Sequence, residues 1–324
     1  MNPALTPWLL DSAMPSIRYL TLKHLVGLDD ADERLRAARL AIMSCGPVPA
    51  ILAGQGDDGH WTHERSYYTP KFTSSHWSMV LLTELATDAQ DDRVQRGAES
   101  MLRRTEDELR GELAARRMGS VCFWGNLLRY ALYAGLQDDA RVQRVVQYVA
   151  LQADGSSDTR GGLPIGWGCP LNGNLPCAWG AARALWGLAA LPQHLHGDIV
   201  RRAMASAVAL LLEEGRLTEG SYPSSGRPHA DWRRANAILF YQADVLFVLR
   251  ALGDVGALAR PEAGPGLAWL RARASGAGRW RGAHPYARRT WPLFASRDDV
   301  DRWVSLHAVM VLHRAALLRE EAAG

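Results

Sequence analysis

Six stretches of this 324-residue sequence carry apolar residues at three- and four-residue spacing, and strand-like alternation is nearly absent. They begin near Pro15 (PSIRYLTLKHLVGL), Ser74 (SSHWSMVLLTELA), Val121 (VCFWGNLLRYALYAGL), Pro176 (PCAWGAARALWGLAAL), Ala235 (ANAILFYQADVLFVLRALG) and Asp301 (DRWVSLHAVMVLHRAALL). Their starts lie about 45 to 66 residues apart, an interval typical of repeated supersecondary units. Between consecutive stretches runs a more charged helical segment, such as DRVQRGAESMLRRT or RVQRVVQYVALQ, so the repeating unit reads as a helical hairpin. An open stack of hairpins needs polar caps at its ends, whereas a closed ring needs none. The first and last stretches here are as apolar as the middle ones. The pattern therefore predicts an all-α fold, an (α/α)6 toroid with apolar helices inside and charged ones outside. A central cavity would open at the loops that precede the inner helices, and residues 1–324 would form one domain.

Composition removes several alternatives. Hydrophobic residues make up 48% and charged residues 22%, which excludes disordered and fibrous classes. The net charge is +3 with the basic residues scattered, so no nucleic-acid footprint is expected. The apolar runs fall short of the roughly 20 residues of a membrane span. The start, MNPALTPWLL, lacks a basic region and a cleavage site, and a cytoplasmic protein is expected. Four cysteines are too few for a secreted disulfide scaffold, leaving buried thiols, a metal site or catalysis.

Tryptophan is over-represented, at 12 against 5 Phe and 9 Tyr. Three helix ends run into glycine and then tryptophan, at Trp61, Trp167 and Trp280, where the indole can fold back on the hairpin's apolar face. The turn LAGQGDDGHW from Leu52 resembles the repeat of the squalene cyclase and protein prenyltransferase superfamily. The blocks PSIRYLTLKHLVG, YYTPKFTSSHW, CFWGNLLRYALYAGLQDDARV, FYQADVLFVLRALG and RWVSLHAVMVLHRA are similar to successive blocks of bacterial prenyltransferase-like or squalene cyclase-like proteins. That resemblance spans nearly the whole chain and implies an α/α toroid acting on an isoprenoid or a similar apolar small molecule. Class II cyclases carry a D-x-D-D acid. Here the nearest matches are RDDVD at Arg297 to Asp301 and DDAD at Asp29 to Asp32, which fit helix-start carboxylates instead. No D-x-C pair of the prenyltransferase zinc set is present.

Cys122 and Cys177 open two consecutive inner helices with the same C-x-W-G, and Cys169 lies on the loop GCPLNGNLPC. Three thiols at one rim, with His229 of GRPHADW as a fourth ligand, would make a zinc site, and four ligands favour a structural one. A Cys169–Cys177 disulfide and inert packing are the alternatives.

Asp244 falls inside an apolar stretch, where a carboxylate is costly unless paired or raised in pKa. It is the candidate acid of a cyclase-like reaction, with a buried pair to Arg129 or Arg183 as the competing account. His307 and Tyr68 are further catalytic candidates. Trp77, Trp124, Phe240, Tyr241, His76, Arg129 and Lys71 are candidates for binding an apolar substrate, the aromatics by lining the cavity and stabilising cations. Two readings follow: an enzyme that cyclises or transfers an isoprenoid, with a deep apolar pocket around Asp244, or a non-catalytic toroid that binds a ligand or protein. A transferase using the cysteine rim is a third.

Overall fold

Fourteen helices and no strand make up the described part of the computed structural model, which covers residues 4–62, 65–115, 120–154, 166–173, 175–213, 216–222 and 228–323. In chain order they are α1 (Leu5–Leu10), α2 (Pro15–Thr21, prolonged by a π turn over Leu22–Val26), α3 (Glu33–Ser44), α4 (Pro47–Ala53), α5 (Ser75–Glu84), α6 (Asp92–Ala115) and α7 (Val121–Tyr133). There follow α8 (Ala140–Leu151), α9 (Ala178–Leu188), α10 (Asp198–Leu211), α11 (Arg216–Glu219), α12 (Val245–Asp254), α13 (Gly264–Arg271) and α14 (Arg297–Ala323). The all-α expectation is met. Among the described residues no single helix is long and apolar enough to cross a membrane.

The two kinds of helix differ as their sequences require. Nearly every residue of α5, α7, α9 and α12 is buried. In α8 only one face is, through Val142, Val145, Val146 and Val149, which recur at the spacing of a single apolar stripe. The buried helices pack in sequence, α5 on α7, α7 on α9, α9 on α12, α12 on α14 and α14 on α2. Each of α2, α5, α7, α9 and α12 also packs on the amphipathic helix that follows it, and α6, α8 and α10 touch in turn.

The recurrent C-x-W-G has a packing origin. A Cβ on Gly125 of α7 would stand 2.5 Å from the carbonyl oxygen of Arg183 in α9, and one on Gly187 would stand 2.5 Å from the carbonyl oxygen of Gly125. One on Gly180 would meet Val121 at 2.5 Å. Only glycine lets these two backbones approach so closely. The turn tryptophans are structural in the same sense. Trp61 and Trp280 are buried, each donating its indole N–H to a carbonyl ten residues earlier (Ile51 at 2.6 Å, Leu270 at 2.7 Å) and its backbone N–H to a serine of an inner helix, Ser75 or Ser305. Asp32 caps α3 by accepting the Arg34 backbone N–H at 2.8 Å, as expected of a helix-start carboxylate.

One apolar stretch departs from its expected form. The segment from Ala235 is not helical until Val245, and residues 235–244 run as an irregular, almost wholly buried loop. A buried loop must have its carbonyls satisfied. Asn126 of α7 donates to Phe240 O at 2.7 Å, and Arg183 of α9 donates to Leu239 O at 2.8 Å and to Gln242 O at 2.7 Å and 3.1 Å. The Arg183 guanidinium is fully buried and lies 3.8 Å from the Phe247 ring centroid, where burial pulls its pKa down to about 10. Two polar side chains from neighbouring helices thus hold an apolar plug among them.

Candidate functional site

The N-terminal ends of the buried helices gather most of the aromatic candidates, but pack them against one another. Trp77 and Phe240 are buried with ring centroids 5.6 Å apart, and Phe240 also meets Phe72 at 4.8 Å and Tyr286 at 5.3 Å. Tyr68 lies edge-on to Trp77 at 4.8 Å, and its carbonyl accepts the Trp77 indole N–H at 2.8 Å. Lys71 stands over both Tyr68 and Tyr241, at 5.5 Å and 5.2 Å from their centroids. His76 is stacked on Phe123 at 4.3 Å with Nδ1 3.3 Å from the Tyr130 hydroxyl, and burial pulls its pKa down to about 3. Trp124 joins this group only through Phe123, 5.0 Å away, and packs on Tyr148 of α8 at 5.5 Å. The rings that were expected to line an open cavity here are in contact with each other.

Asp244 sits at the start of α12 rather than within it. One carboxylate oxygen accepts the Phe247 backbone N–H at 2.7 Å and the other accepts the backbone and side-chain N–H groups of Asn236, both at 2.8 Å. Neither Arg129 nor Arg183 pairs with it. Burial pushes its pKa up to about 6, against the opposing pull of these hydrogen bonds. Its observed work is to cap a helix and close the plug loop.

The thiols converge only in part. Cys177 caps α9, its sulfur accepting the Gly180 backbone N–H at 3.4 Å, and the Cys169 thiol hydrogen-bonds it. Burial pushes the Cys122 thiol up to about 11, with Cys169 adding to the effect. No disulfide joins any of the four cysteines. His229 is exposed, edge-on to Trp179 at 5.1 Å, with its Nδ1 accepting the Asp231 backbone N–H at 3.2 Å. Among the described residues, no group of three or more His, Cys, Asp and Glu side chains is arranged to hold a metal ion.

An open cavity of about 690 Å³ lies at the other end of the buried helices. Its walls are mostly their last turns: Tyr19 of α2 with Lys23 and His24 of the π turn that prolongs it, Thr83 and Glu84 of α5, Arg129 and Tyr133 of α7, Trp186 of α9, Arg250 and Asp254 of α12, together with residues between His307 and Leu317 in the middle of α14. Among the described residues this cavity thus lies at the opposite end from the expected one, the loops preceding the inner helices. Of the residues singled out from the sequence, the cavity wall contains Arg129 and His307. The Arg129 guanidinium lies 4.8 Å from the Trp186 ring centroid, donates to Trp186 O at 3.1 Å, and reaches Asp254 at 3.5 Å. Arg314 pairs with the same Asp254 at 3.2 Å. Arg250 pairs with Glu84 at 2.7 Å, and that carboxylate is 2% exposed. His307 is buried, with no hydrogen-bond partner for its Nε2. Burial, helped by Arg250 and His24, holds its pKa well below the usual histidine range, so its ring is neutral.

Sequence reasoning missed Glu84, Arg250, Asp254 and Arg314. The signal was present for two of them: Glu84 in SMVLLTELA and Arg250 in VLFVLRALG are ionisable groups inside apolar stretches, the same feature that singled out Asp244. No family model, curated protein or solved structure matches this chain, so what it does has to be read from its own side chains.

Proposed function

We propose that the chain is a closed double ring of helical hairpins that binds a small molecule in the cavity at the C-terminal ends of its inner helices. The order of packing supports closure: α5, α7, α9, α12, α14 and α2 follow one another, with α3 and α4 linking α2 back to α5. The whole chain would then serve one ring, as the repeat suggests. The observation that carries the binding reading is the cavity itself. Its volume falls in the range of about 300–1,000 Å³ usual for ligand sites, and its wall mixes apolar side chains with charged ones. Protonation of an isoprenoid by Asp244 draws no support from this geometry, because both oxygens accept hydrogen bonds and the space beside it is only about 10 Å³. The non-catalytic form of the toroid reading fits better.

A neutral fluorescent probe such as N-phenyl-1-naphthylamine tests it. The native chain should bind one equivalent. Leu317→Trp, at a lining position 45% exposed and therefore tolerant of added bulk, should weaken binding by about ten-fold or more, a contact loss of about 1.4 kcal/mol. Unchanged binding to that variant would remove the cavity as the site.

A further inference from the structure

The charges of the cavity wall bear on what kind of molecule it holds, given that the cavity is the ligand site proposed above. Five cations line it, Lys23, Arg39, Arg129, Arg250 and Arg314, against two carboxylates, Glu84 and Asp254. Lys23 and Arg39 sit toward solvent, each paired with an acid outside the lining, Asp30 at 3.0 Å and Asp88 at 2.9 Å. Those exposed pairs are screened and weak. Around the helix ends the count is tighter. Glu84 is taken by Arg250, while Asp254 is shared between Arg129 and Arg314, so three guanidinium groups face two carboxylates.

A plainer explanation for the arginines is that they neutralise helix ends. The helices α5, α7 and α12 all end on the cavity, and a helix C-terminus carries about half a negative elementary charge. Arg129 does donate to a helical carbonyl, that of Trp186. Three such ends carry about one and a half negative charges, which leaves the wall close to neutral once the outer pairs are counted, so an anion would be recognised through hydrogen bonds rather than net charge. Arg129 and Arg314 also keep N–H groups beyond those that reach Asp254, since a guanidinium offers five. Beside them the wall turns apolar, with Trp186, Leu258, Met310 and Leu317.

We infer that the ligand is an organic carboxylate with an apolar body, its acid group held between Arg129 and Arg314 and its body against Trp186, Leu258, Met310 and Leu317. A planar carboxylate head extends the alternation of arginine and carboxylate already built around Asp254. A carboxylate also suits the fork geometry of arginine, which accepts it through two parallel hydrogen bonds.

Isothermal titration calorimetry with octanoate, octyl phosphate, octanol and octylamine tests this on the native chain, Arg314→Gln and Leu317→Trp. Arg314 is half exposed, so its replacement should leave the fold intact, which circular dichroism verifies. Octanoate should bind about ten-fold or more tighter than octanol, and octylamine weaker than octanol. R314Q should lower octanoate affinity by about ten-fold and leave octanol unchanged. Octanol binding as tightly as octanoate, or an R314Q variant that binds octanoate normally, would overturn the acid assignment; octanol binding that L317W weakens would show that the cavity reading survives. Octyl phosphate binding about ten-fold tighter than octanoate would overturn the carboxylate in favour of a phosphate. Binding indifferent to L317W, or no binding of any probe, would remove both.

Discussion

Gly125→Ala should destabilise this protein although it places a better helix former in the middle of a helix. Alanine is favoured over glycine in a helix interior by about 1 kcal/mol. Against that, the new Cβ would stand 2.5 Å from Arg183 O, 2.6 Å from Arg183 C and 2.7 Å from Ala184 N, all backbone atoms that no rotamer change can move. The α7–α9 pair must separate until those distances pass 3.0 Å. Forcing a methyl into a packed core costs about 1–3 kcal/mol. The displaced segment also carries Arg183, whose hydrogen bonds to Leu239 and Gln242 hold the plug loop and contribute about 0.5–1.5 kcal/mol each. The penalties exceed the propensity gain, for a net loss of about 2 kcal/mol. Gly111→Ala in α6 is the control, since nothing lies within 4 Å of its Cβ. It should gain about 0.5–1 kcal/mol. Urea unfolding followed by circular dichroism reads both, and the midpoints should move in opposite directions. A G125A midpoint at or above the native one would refute the close-packing account of the C-x-W-G motif.

Arg183→Met should destabilise by about 1–3 kcal/mol, because it leaves the buried carbonyls of Leu239 and Gln242 without donors. Limited proteolysis should then cut within residues 235–244 sooner than in the native chain. Stability should fall as pH drops below about 6.5, the ordinary histidine value. Burial holds His76 at about 3, His284 at about 4 and His307 well below its usual range, so the unfolded chain takes up protons that the folded one refuses. Asp244, raised to about 6, acts in the opposite sense between about pH 4 and 6, where its folded form holds the extra proton. The urea midpoint measured from about pH 7 to 5 should therefore decline, and a flat or rising profile would count against the neutral buried histidines. Purified under reducing conditions, the chain should carry well under one zinc per molecule, and stoichiometric zinc lost in Cys122→Ser would restore the metal reading. Of its thiols the exposed Cys45 should react first with a disulfide reagent at neutral pH, since burial pushes Cys122 up to about 11; a fast phase that survives Cys45→Ser would contradict this.

Much of the fold was legible because helices leave a local record. The starts expected at Pro15, Ser74 and Val121 fall at Pro15, Ser75 and Val121, and the single stripe of α8 marks it as a helix half exposed. The exception, residues 235–244, is instructive. Its apolar residues continue without a break into α12, so periodicity could not mark the boundary. Asp244 was the available sign, as a residue type favoured at the cap position, and it was read as a buried acid instead. Of the site, Arg129 and His307 were singled out, but as partners of an aromatic cavity that packing has filled.

The sequence by itself determined that this chain is helical, where several of its buried helices begin, and which faces they bury, since those properties depend on spacing along a few turns. Only the tertiary structure decided which end of the buried helices stays open. That choice depends on whether a distant loop is held inward by Asn126 and Arg183, and on how Glu84, Asp254 and three arginines from four different helices balance their charge around the remaining space. Interactions between residues so far apart along the chain leave no period to read.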